Sequence, residues 1–310
     1  MARMARIKVD GESAAYHVYG RMAGVKGDYS LSKPLCRKTL LDTIEHFAQA
    51  YCCQVAAVTV MGTHWHAVIK FDAYRELSSD ELRQRALLLY PNSSCALDDW
   101  LPDRWLRLQE RLFDISEFMR NVHSRFARFY NRTYQRHGRF WADRFKSTLL
   151  ENDQAVLDCM LYVELNAVRA GIVARPEDWK GCSLYLRETG HGDWLMPLTE
   201  LFDKTPTRAL TEYRSLVYYR GEVPTKEGQA AIPQRIIQEE SARGFEVSGV
   251  YRKRLRYFVD GLVVGSEAFI RRYLDIMRDH GHYPNRKNPI SHLNGIHQSL
   301  REQRSTAVSF

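Results

Sequence analysis

The sequence contains no pair of cysteines at the CxxC spacing, although it has six cysteines among its 310 residues. Neither a zinc knuckle nor a disulfide framework is therefore indicated, and scattered thiols are by default buried and inert. No long apolar run of membrane-spanning length occurs, and the basic N-terminal stretch is not followed by an apolar segment of signal-peptide length. We therefore expect a soluble protein of the cytoplasm, associated with the nucleoid.

Acidic residues are the minority among the charged side chains. Lys and Arg number 45 against 37 Asp and Glu, which gives a formal net charge of +8. Such a balance is typical of proteins that meet a polyanion, and it favours DNA as the partner. No sequence feature indicates a membrane partner.

The basic excess is concentrated between residues 120 and 146, where arginine alternates with Phe, Tyr and Trp and acids are nearly absent. On a helix, Arg125, Arg128 and Arg132 would share one face, opposite an apolar side. Such a ridge suits phosphate contacts, although a merely solvated face is the alternative for part of it. The candidate DNA-binding residues are Arg120, Arg125, Arg128, Arg132, Arg139, Arg144 and Lys146. A second basic cluster, residues 251–258, would extend that surface or lie along a helix.

The apolar pattern predicts the order β, α, β, β in the first part of the chain. The first strand covers 14–22, and a helix runs from Pro34 to about Cys53 with Ser32 as its cap. Two strands, QVAAVTVMG and HWHAVIKFD, follow as an antiparallel pair. This order favours an α+β fold in which helices cover the faces of an antiparallel sheet.

Helix dominates the pattern that follows. The predicted elements are a short helix within 73–101, a long helical region over 102–134, a strand within 138–150, and a helix over 152–170 that Gly171 closes. Beyond about residue 195 the pattern weakens. We therefore divide the chain into a domain over 1–195 and a mostly helical accessory region over 196–310, whose role is DNA recognition or docking.

Two histidines stand one residue apart at the start of HWHAVIKF. Because successive side chains of a strand point to opposite faces, His64 and His66 would share a face while Trp65 and Ala67 go to the other. Two imidazoles on one face can hold a divalent metal ion. The chain has 11 histidines, so chance also produces such pairs, and ordinary surface or core histidines are the alternative.

The predicted helix LDCMLYVELNAVRAG places a phenol and a carboxamide one turn apart. Tyr162 and Asn166 are four residues apart and share a helix face, as a nucleophile and an auxiliary metal ligand would. The alternatives are a half-buried aromatic for Tyr162 and a helix brace for Asn166. Tyr130, Tyr134 and Tyr185 are weaker candidates for the nucleophile.

Three stretches in order carry a resemblance to a known family: MGTHWH after an apolar strand, GRFWADRFKS, and YVELNAVRAGIV. Together they closely resemble the single-tyrosine HUH transposases, and among these the REP-associated tyrosine transposases. In that family the corresponding stretches run Met-Pro-Asn-His-x-His and Tyr-Ile-His-Leu-Asn-Pro-Val-Arg-Ala-Gly. The likeness covers roughly residues 1 to 190. It implies a ferredoxin-like HUH nuclease domain.

The resemblance also implies a function and roles for the residues. His64 and His66 would bind Mg²⁺ or Mn²⁺, with Asn166 as an auxiliary ligand, and Tyr162 would be the nucleophile. The reaction would be metal-dependent cleavage and strand transfer of single-stranded or hairpin DNA through a 5′-phosphotyrosine, as in a transposase or endonuclease. The target hairpin and the choice between monomer and homodimer are left open.

The sequence departs from the family pattern at several positions. Gly62 and Thr63 replace the usual Pro-Asn, Glu164 replaces a common His, and Ala167 replaces the Pro. None of these changes removes a reacting group. Glu164 puts in doubt the auxiliary role of the histidine that it replaces.

Two other readings belong to different functional classes. A metal hydrolase of the amidohydrolase type also begins with His-x-His, but it needs about eight strand-helix units, which this pattern does not provide. A domesticated transposase that binds DNA as a regulator without turnover would keep the same residues. Only a test for a covalent adduct with DNA separates that regulator from the enzyme.

Overall fold

The computed structural model describes residues 7, 9, 11–24, 30–92, 97–224, 228–242, 261–279, 290–292 and 297–301. The strands are β1 (Ala14–Arg21), β2 (Cys53–Val60), β3 (His64–Phe71), β4 (Lys146–Leu150), β5 (Gly261–Gly265), β6 (Ile290–His292) and β7 (His297–Arg301). The helices are α1 (Pro34–Ala50), α2 (Ser79–Leu89), α3 (Pro102–Leu112), α4 (Ile115–Thr133), α5 (Asp153–Glu164), α6 (Asn166–Arg169), α7 (Ser183–Glu188), α8 (Pro206–Gly221), α9 (Gln234–Ser241) and α10 (Glu267–Asp279). Within the described residues, none of these helices is long and apolar enough to cross a membrane.

The predicted α+β fold is confirmed. The strands form one sheet in the order β2-β3-β1-β4-β5-β7-β6, and each neighbouring pair is antiparallel except β4 with β5, which run parallel. Side chains alternate between the two faces of the sheet. Tyr16 and Val18 of β1 enter the core that contains residues of α1, α4 and α10, whereas Ala15 enters the core that contains residues of α5 and α8.

Gly20 marks a close approach of β1 to the side chains packed on the α4 face. A Cβ atom at this position would lie 2.4 Å from Nε1 of Trp65 and 2.7 Å from Nε2 of His123. Those distances are below van der Waals contact, so only glycine fits. The neighbouring Tyr19 and Arg21 point to the opposite face.

Three local predictions differ from the structure in detail. Ser32 does not cap α1, because Lys33 occupies the N-cap position and Pro34 begins the helix. The helical region 102–134 divides in two, because Asp114 has extended backbone and its carboxylate accepts a hydrogen bond from the Ser116 amide. The strand predicted within 138–150 begins only at Lys146.

The helix predicted over 152–170 forms, with a break. Asn152 caps α5 by accepting from the Ala155 amide, and Leu165 separates α5 from α6. Gly171 follows the end of α6 at a φ of 69°, a conformation that glycine adopts without strain. Tyr162 and Asn166 therefore lie on one nearly continuous helical path.

The C-terminal region contains helices α8, α9 and α10, as predicted, and three strands that the pattern did not predict. Strand β5 pairs parallel with β4, with Leu150 opposite Val264. The Glu151 carboxylate adds to this junction by accepting from the amide and hydroxyl of Ser266. The division of the chain near residue 195 stays a prediction, and the basic cluster 251–258 lies outside the described residues.

Glu164, at the end of α5, joins that helix to α7 and α8. Its side chain is fully buried, and its carboxylate accepts hydrogen bonds from the Ser183 hydroxyl, the Leu184 amide and the Tyr213 hydroxyl. Burial raises the pKa of Glu164, while these donors and Arg187 oppose that rise. Glu164 thus belongs to a packing network.

We expect Glu164→Ala to lower the free energy of unfolding by about 3 kcal/mol, because the substitution leaves three buried donors without an acceptor. Glu164→Gln, which keeps one carbonyl oxygen, is expected to lose less. Urea denaturation measures both. Glu212→Ala is the control, since its ion pair with Lys204 is solvent-exposed and contributes little. A loss for Glu164→Ala no larger than that of the control would contradict the network.

Candidate active site

Pairing of β1 with β3 gathers three histidines on one face of the sheet. Opposite residues of an antiparallel pair share a face, and the register sets Tyr19 opposite His66 and Arg21 opposite His64. The ring centres of His64 and His66 are 5.1 Å apart, as are those of His17 and His66. The expectation that His64 and His66 share a face agrees with this geometry.

Each imidazole of the predicted metal pair uses its Nδ1 atom within the protein. His66 Nδ1 lies 3.0 Å from Nε2 of His17, and His64 Nδ1 lies 3.0 Å from the Thr63 hydroxyl oxygen. The Nε2 atoms are then the ones left for a ligand. Metal-binding histidines commonly have this arrangement, in which the second ring nitrogen is held by a hydrogen bond.

Burial keeps these imidazoles in the neutral form that binds metal. His66 is 2% exposed, and its pKa is well below the ordinary value because of burial, with the neighbouring His17 and His64 as further causes. The pKa of His64 falls to about 4, first because of burial and then because of the Arg21 charge. No proton therefore has to leave these rings at neutral pH before a cation binds.

Helix α5 brings Tyr162 against the histidines. The Tyr162 ring centre lies 5.8 Å from that of His66 and 5.8 Å from that of His17, in edge-to-face contact with both. Tyr162 is half-buried, which leaves part of its side chain open to solvent. A phenol, two candidate ligands and a third imidazole thus meet at one place.

The rival tyrosines lie elsewhere. Tyr130 and Tyr134 belong to the α4 side of the sheet, where Tyr130 bonds Ser30 and Tyr134 contacts Cys36. Tyr185 of α7 makes no ring contact with a histidine within the described residues. Of the tyrosines singled out in the sequence, Tyr162 is the one next to the histidine pair.

Asn166 lies one turn beyond Tyr162, and its amide nitrogen is used inside the helix. Nδ2 donates to the carbonyl oxygens of Tyr162 at 3.0 Å and Val163 at 3.3 Å. These bonds agree with the bracing role given above as an alternative. They leave Oδ1 as the atom with which Asn166 would bind a metal, and that role stays a prediction.

His64 and His66 supply only two ligands, so a divalent cation bound to them would take most of its ligands from other groups. Within the described part of the chain, no group of three or more His, Cys, Asp and Glu side chains is arranged to hold a metal ion. A cation on His64 and His66 would therefore need oxygen ligands from Asn166, water or a phosphate. Mg²⁺ and Mn²⁺ accept such oxygens.

Lys146 extends the histidine face by one strand. It lies opposite Tyr19 in the pairing of β1 with β4, so it is on the face of His66, and it is exposed. Arg144 and Arg139 are exposed in the segment that leads to β4. That segment runs beside the end of β1, where the Ala142 amide donates to the Arg21 carbonyl.

The arginines of α4 lie on the other face of the sheet. Arg125, Arg128 and Arg132 are exposed, form no salt bridge within the described residues, and line a groove of about 780 Å³ between α4 and α1. Phe47 and Phe129 contribute apolar walls to this groove. Arg120 is outside it and pairs with Glu117. The groove and the histidines are separated by the thickness of the sheet.

Sequence reasoning missed His17, Tyr19 and Arg21 as members of the site. All three lie on β1, and only its pairing with β3 brings them to His64 and His66. A signal was present, because the alternation in AAYHVYGR places these side chains on one face of the strand. This alternation indicates membership of the site only when it is known that β1 pairs with β3.

Neither protein-family models nor curated proteins give a match to this sequence. Among solved structures, that of a REP-associated tyrosine transposase bound to a REP hairpin is similar to this chain, with a TM-score of 0.43 and 13% sequence identity. The alignment covers 61% of this chain and 86% of the other. Likeness this distant leaves the function to be argued from the site itself.

We expect the free energy of unfolding of the metal-free protein to fall as the pH is lowered from about 6.5 to about 4. His64 is the cause, because its pKa is about 4 in the folded protein and about 6.5, the ordinary histidine value, in the unfolded chain. The unfolded chain takes up this proton first, so acid favours unfolding by up to ~1.4 kcal/mol per pH unit for such a group. Urea denaturation in the presence of a chelator, at several pH values in this window, measures the slope. His64→Gln should flatten it, and an unchanged slope would show that His64 titrates normally.

Proposed function

We propose that this protein cleaves single-stranded or hairpin DNA and transfers the cut strand, with Tyr162 as the nucleophile. The observation that carries this proposal is the contact of the Tyr162 ring with His66 on the face that also holds His64. A half-buried phenol beside neutral imidazoles suits attack on a phosphodiester. A packing tyrosine would need no such neighbours.

The reaction would exchange one phosphate ester for another. Oη of Tyr162 forms a bond to phosphorus while the bond to the 3′ oxygen breaks, the phenol loses its proton to solvent, and the departing oxygen gains one. The products are a 5′-phosphotyrosine and a free 3′-hydroxyl. Attack of another 3′-hydroxyl reverses the step and joins strands without ATP. The 5′ polarity follows the resemblance noted in the sequence.

Free tyrosine is a poor nucleophile, because with a pKa near 10 only about 0.1% is phenolate at pH 7. A Mg²⁺ or Mn²⁺ ion on His64 and His66 would supply charge neutralisation at the phosphate and polarise its P–O bonds. The protein's own part is to keep both imidazoles neutral and their Nε2 atoms available. Packing of α5 on the sheet then holds Tyr162 beside them.

The basic residues divide into two sets with different DNA contacts. Lys146 and Arg21 lie on the histidine face, and Arg144 and Arg139 lie in the segment that leads to β4. These four residues would bind the phosphates that flank the cut. Arg125, Arg128 and Arg132 face the groove on the opposite side of the sheet. They would bind a separate segment of the DNA, such as the stem of a hairpin, whose phosphates suit three cations that form no salt bridge among the described residues.

Tyr162→Phe should abolish the covalent adduct while DNA binding persists, because only the nucleophilic oxygen is removed. The substrate is a pool of hairpins with randomised single-stranded flanks, labelled at the 3′ end and incubated with Mn²⁺. A labelled protein band on a denaturing gel reports the 5′-phosphotyrosine. A chelator should remove the band and fresh Mn²⁺ should restore it.

Tyr185→Phe is the matched control, since it removes the hydroxyl of another half-buried helix tyrosine and should leave the band unchanged. An adduct on 5′-labelled DNA instead would reverse the proposed polarity. Clear binding by the wild type without any adduct would overturn the cleavage proposal and favour a DNA-binding regulator.

Replacing Arg125, Arg128 and Arg132 together with Ala should weaken hairpin binding while the adduct rate at saturating DNA is retained. Loss of phosphate contacts lowers the slope of log affinity against log salt by about one for each contact. Fluorescence anisotropy at several salt concentrations measures this slope. The control is a triple Ala variant at Arg83, Arg235 and Arg271, exposed arginines that each pair with a carboxylate. Equal slopes for both variants would show that the groove is not part of the DNA-binding surface.

A further inference from the structure

Arg169 is a cation beside the candidate nucleophile. It is the last residue of α6, two helical turns beyond Tyr162 on the path that α5 and α6 share. Its guanidinium carbon lies 5.6 Å from the centre of the Tyr162 ring. The Gly171 turn that closes this helix fixes the backbone from which the side chain extends.

The charge of Arg169 has no counterion within the described residues. Its Nη1 atom is buried and has no hydrogen-bond partner there, and no carboxylate lies within ion-pair distance. The nearby Arg220, by contrast, pairs with Asp158. Burial is the main cause that lowers the pKa of Arg169 to about 10, which still leaves it cationic at neutral pH. A charge that is largely removed from water and has no counterion among the described residues is costly, and an anion in this position would offset that cost.

We propose that the guanidinium of Arg169 binds the phosphate that Tyr162 attacks. A planar guanidinium presents paired N–H donors that match two phosphate oxygens. Positive charge held beside the nucleophile's ring would stabilise the charge that develops on the phosphate during transfer. This assignment rests on the proposed function, because it adds a catalytic residue to the same site.

A structural role for Arg169 leads to different expectations. A cation in the last turn of a helix stabilises the terminal carbonyl groups, and lysine serves that purpose as well as arginine. Replacement would then change thermal stability, and activity would follow the amount of folded protein. Phosphate binding instead requires the guanidinium itself.

Adduct formation by Arg169→Ala should be roughly 10²- to 10³-fold slower than in the wild type, the usual loss when one group that stabilises a transition-state oxyanion is removed. The melting temperature should change little. Arg169→Lys should keep only part of the rate. Added guanidinium ion, but not sodium at equal ionic strength, should partly restore Arg169→Ala.

Arg187→Ala is the matched control for this rescue. Arg187 is also a half-buried arginine, but its guanidinium donates to the carbonyl oxygens of Ala56 and Met196. Guanidinium should therefore not raise the adduct rate of this variant. Full activity in Arg169→Ala or Arg169→Lys, with an active wild type, would overturn the assignment and leave the proposed function standing.

Tungstate, a phosphate mimic, gives a test that needs no cleavage. Wild-type protein should bind it with an increase in melting temperature, and Tyr162→Phe crystals should show its anomalous peak between Arg169 and residue 162. Arg169→Ala should lose both signals. Equal binding by wild type and Arg169→Ala would overturn the assignment even if no adduct ever forms. If the wild type binds tungstate through Arg169 but cleaves no DNA, the assignment of Arg169 to a phosphate site stands and only the proposed function is rejected.

Discussion

The register between β1 and β3 is the constraint on which the candidate site depends. It sets Tyr19 opposite His66 and so brings His17 within hydrogen-bonding distance of that ring. A slip of one residue would turn the histidines into the core that contains α1 and α4. Trp65 and Ala67 prevent such a slip, because their burial on that side fixes which face His64 and His66 occupy. The same alternation therefore stabilises the sheet and exposes its reactive side chains to α5.

The sheet also separates two kinds of surface. On one face, neutral imidazoles lie beside a phenol and a guanidinium that has no counterion in the described part of the chain, an arrangement whose electrostatics suit a single phosphate. On the other, exposed arginines of α4 line a wide groove with aromatic walls, which suits an extended polyanion. A seven-stranded sheet lies between the two surfaces.

Local periodicity was enough to predict the shared face of His64 and His66 and the helical segment over which Tyr162 and Asn166 lie. It was not enough for features that depend on distant pairing. His17 entered the site through a neighbouring strand, and β5 joined the sheet as a short GLVVG segment with no alternation to distinguish it from a buried loop or helix. The helical region predicted over 102–134 divides into two helices for a local reason, since Asp114 bonds the backbone and caps a new helix. The sequence pattern did not single out Arg169, because neither its approach to the Tyr162 ring nor its buried Nη1 atom is visible before the chain is folded.

The parallel pairing of β4 with β5 has a consequence for how the chain is made. Leu150 of β4 pairs with Val264 of β5, and more than a hundred residues of chain lie between these two positions. Contacts of such long range form late, because closing the intervening loop has an entropic cost. As the chain emerges from the ribosome, β4 has a partner in β1 on one side only, and its other edge presents unpaired backbone groups until β5 is synthesised. An open edge of that kind can pair with another nascent chain. Pairing of β5 with β4 covers this edge and so protects the protein against aggregation.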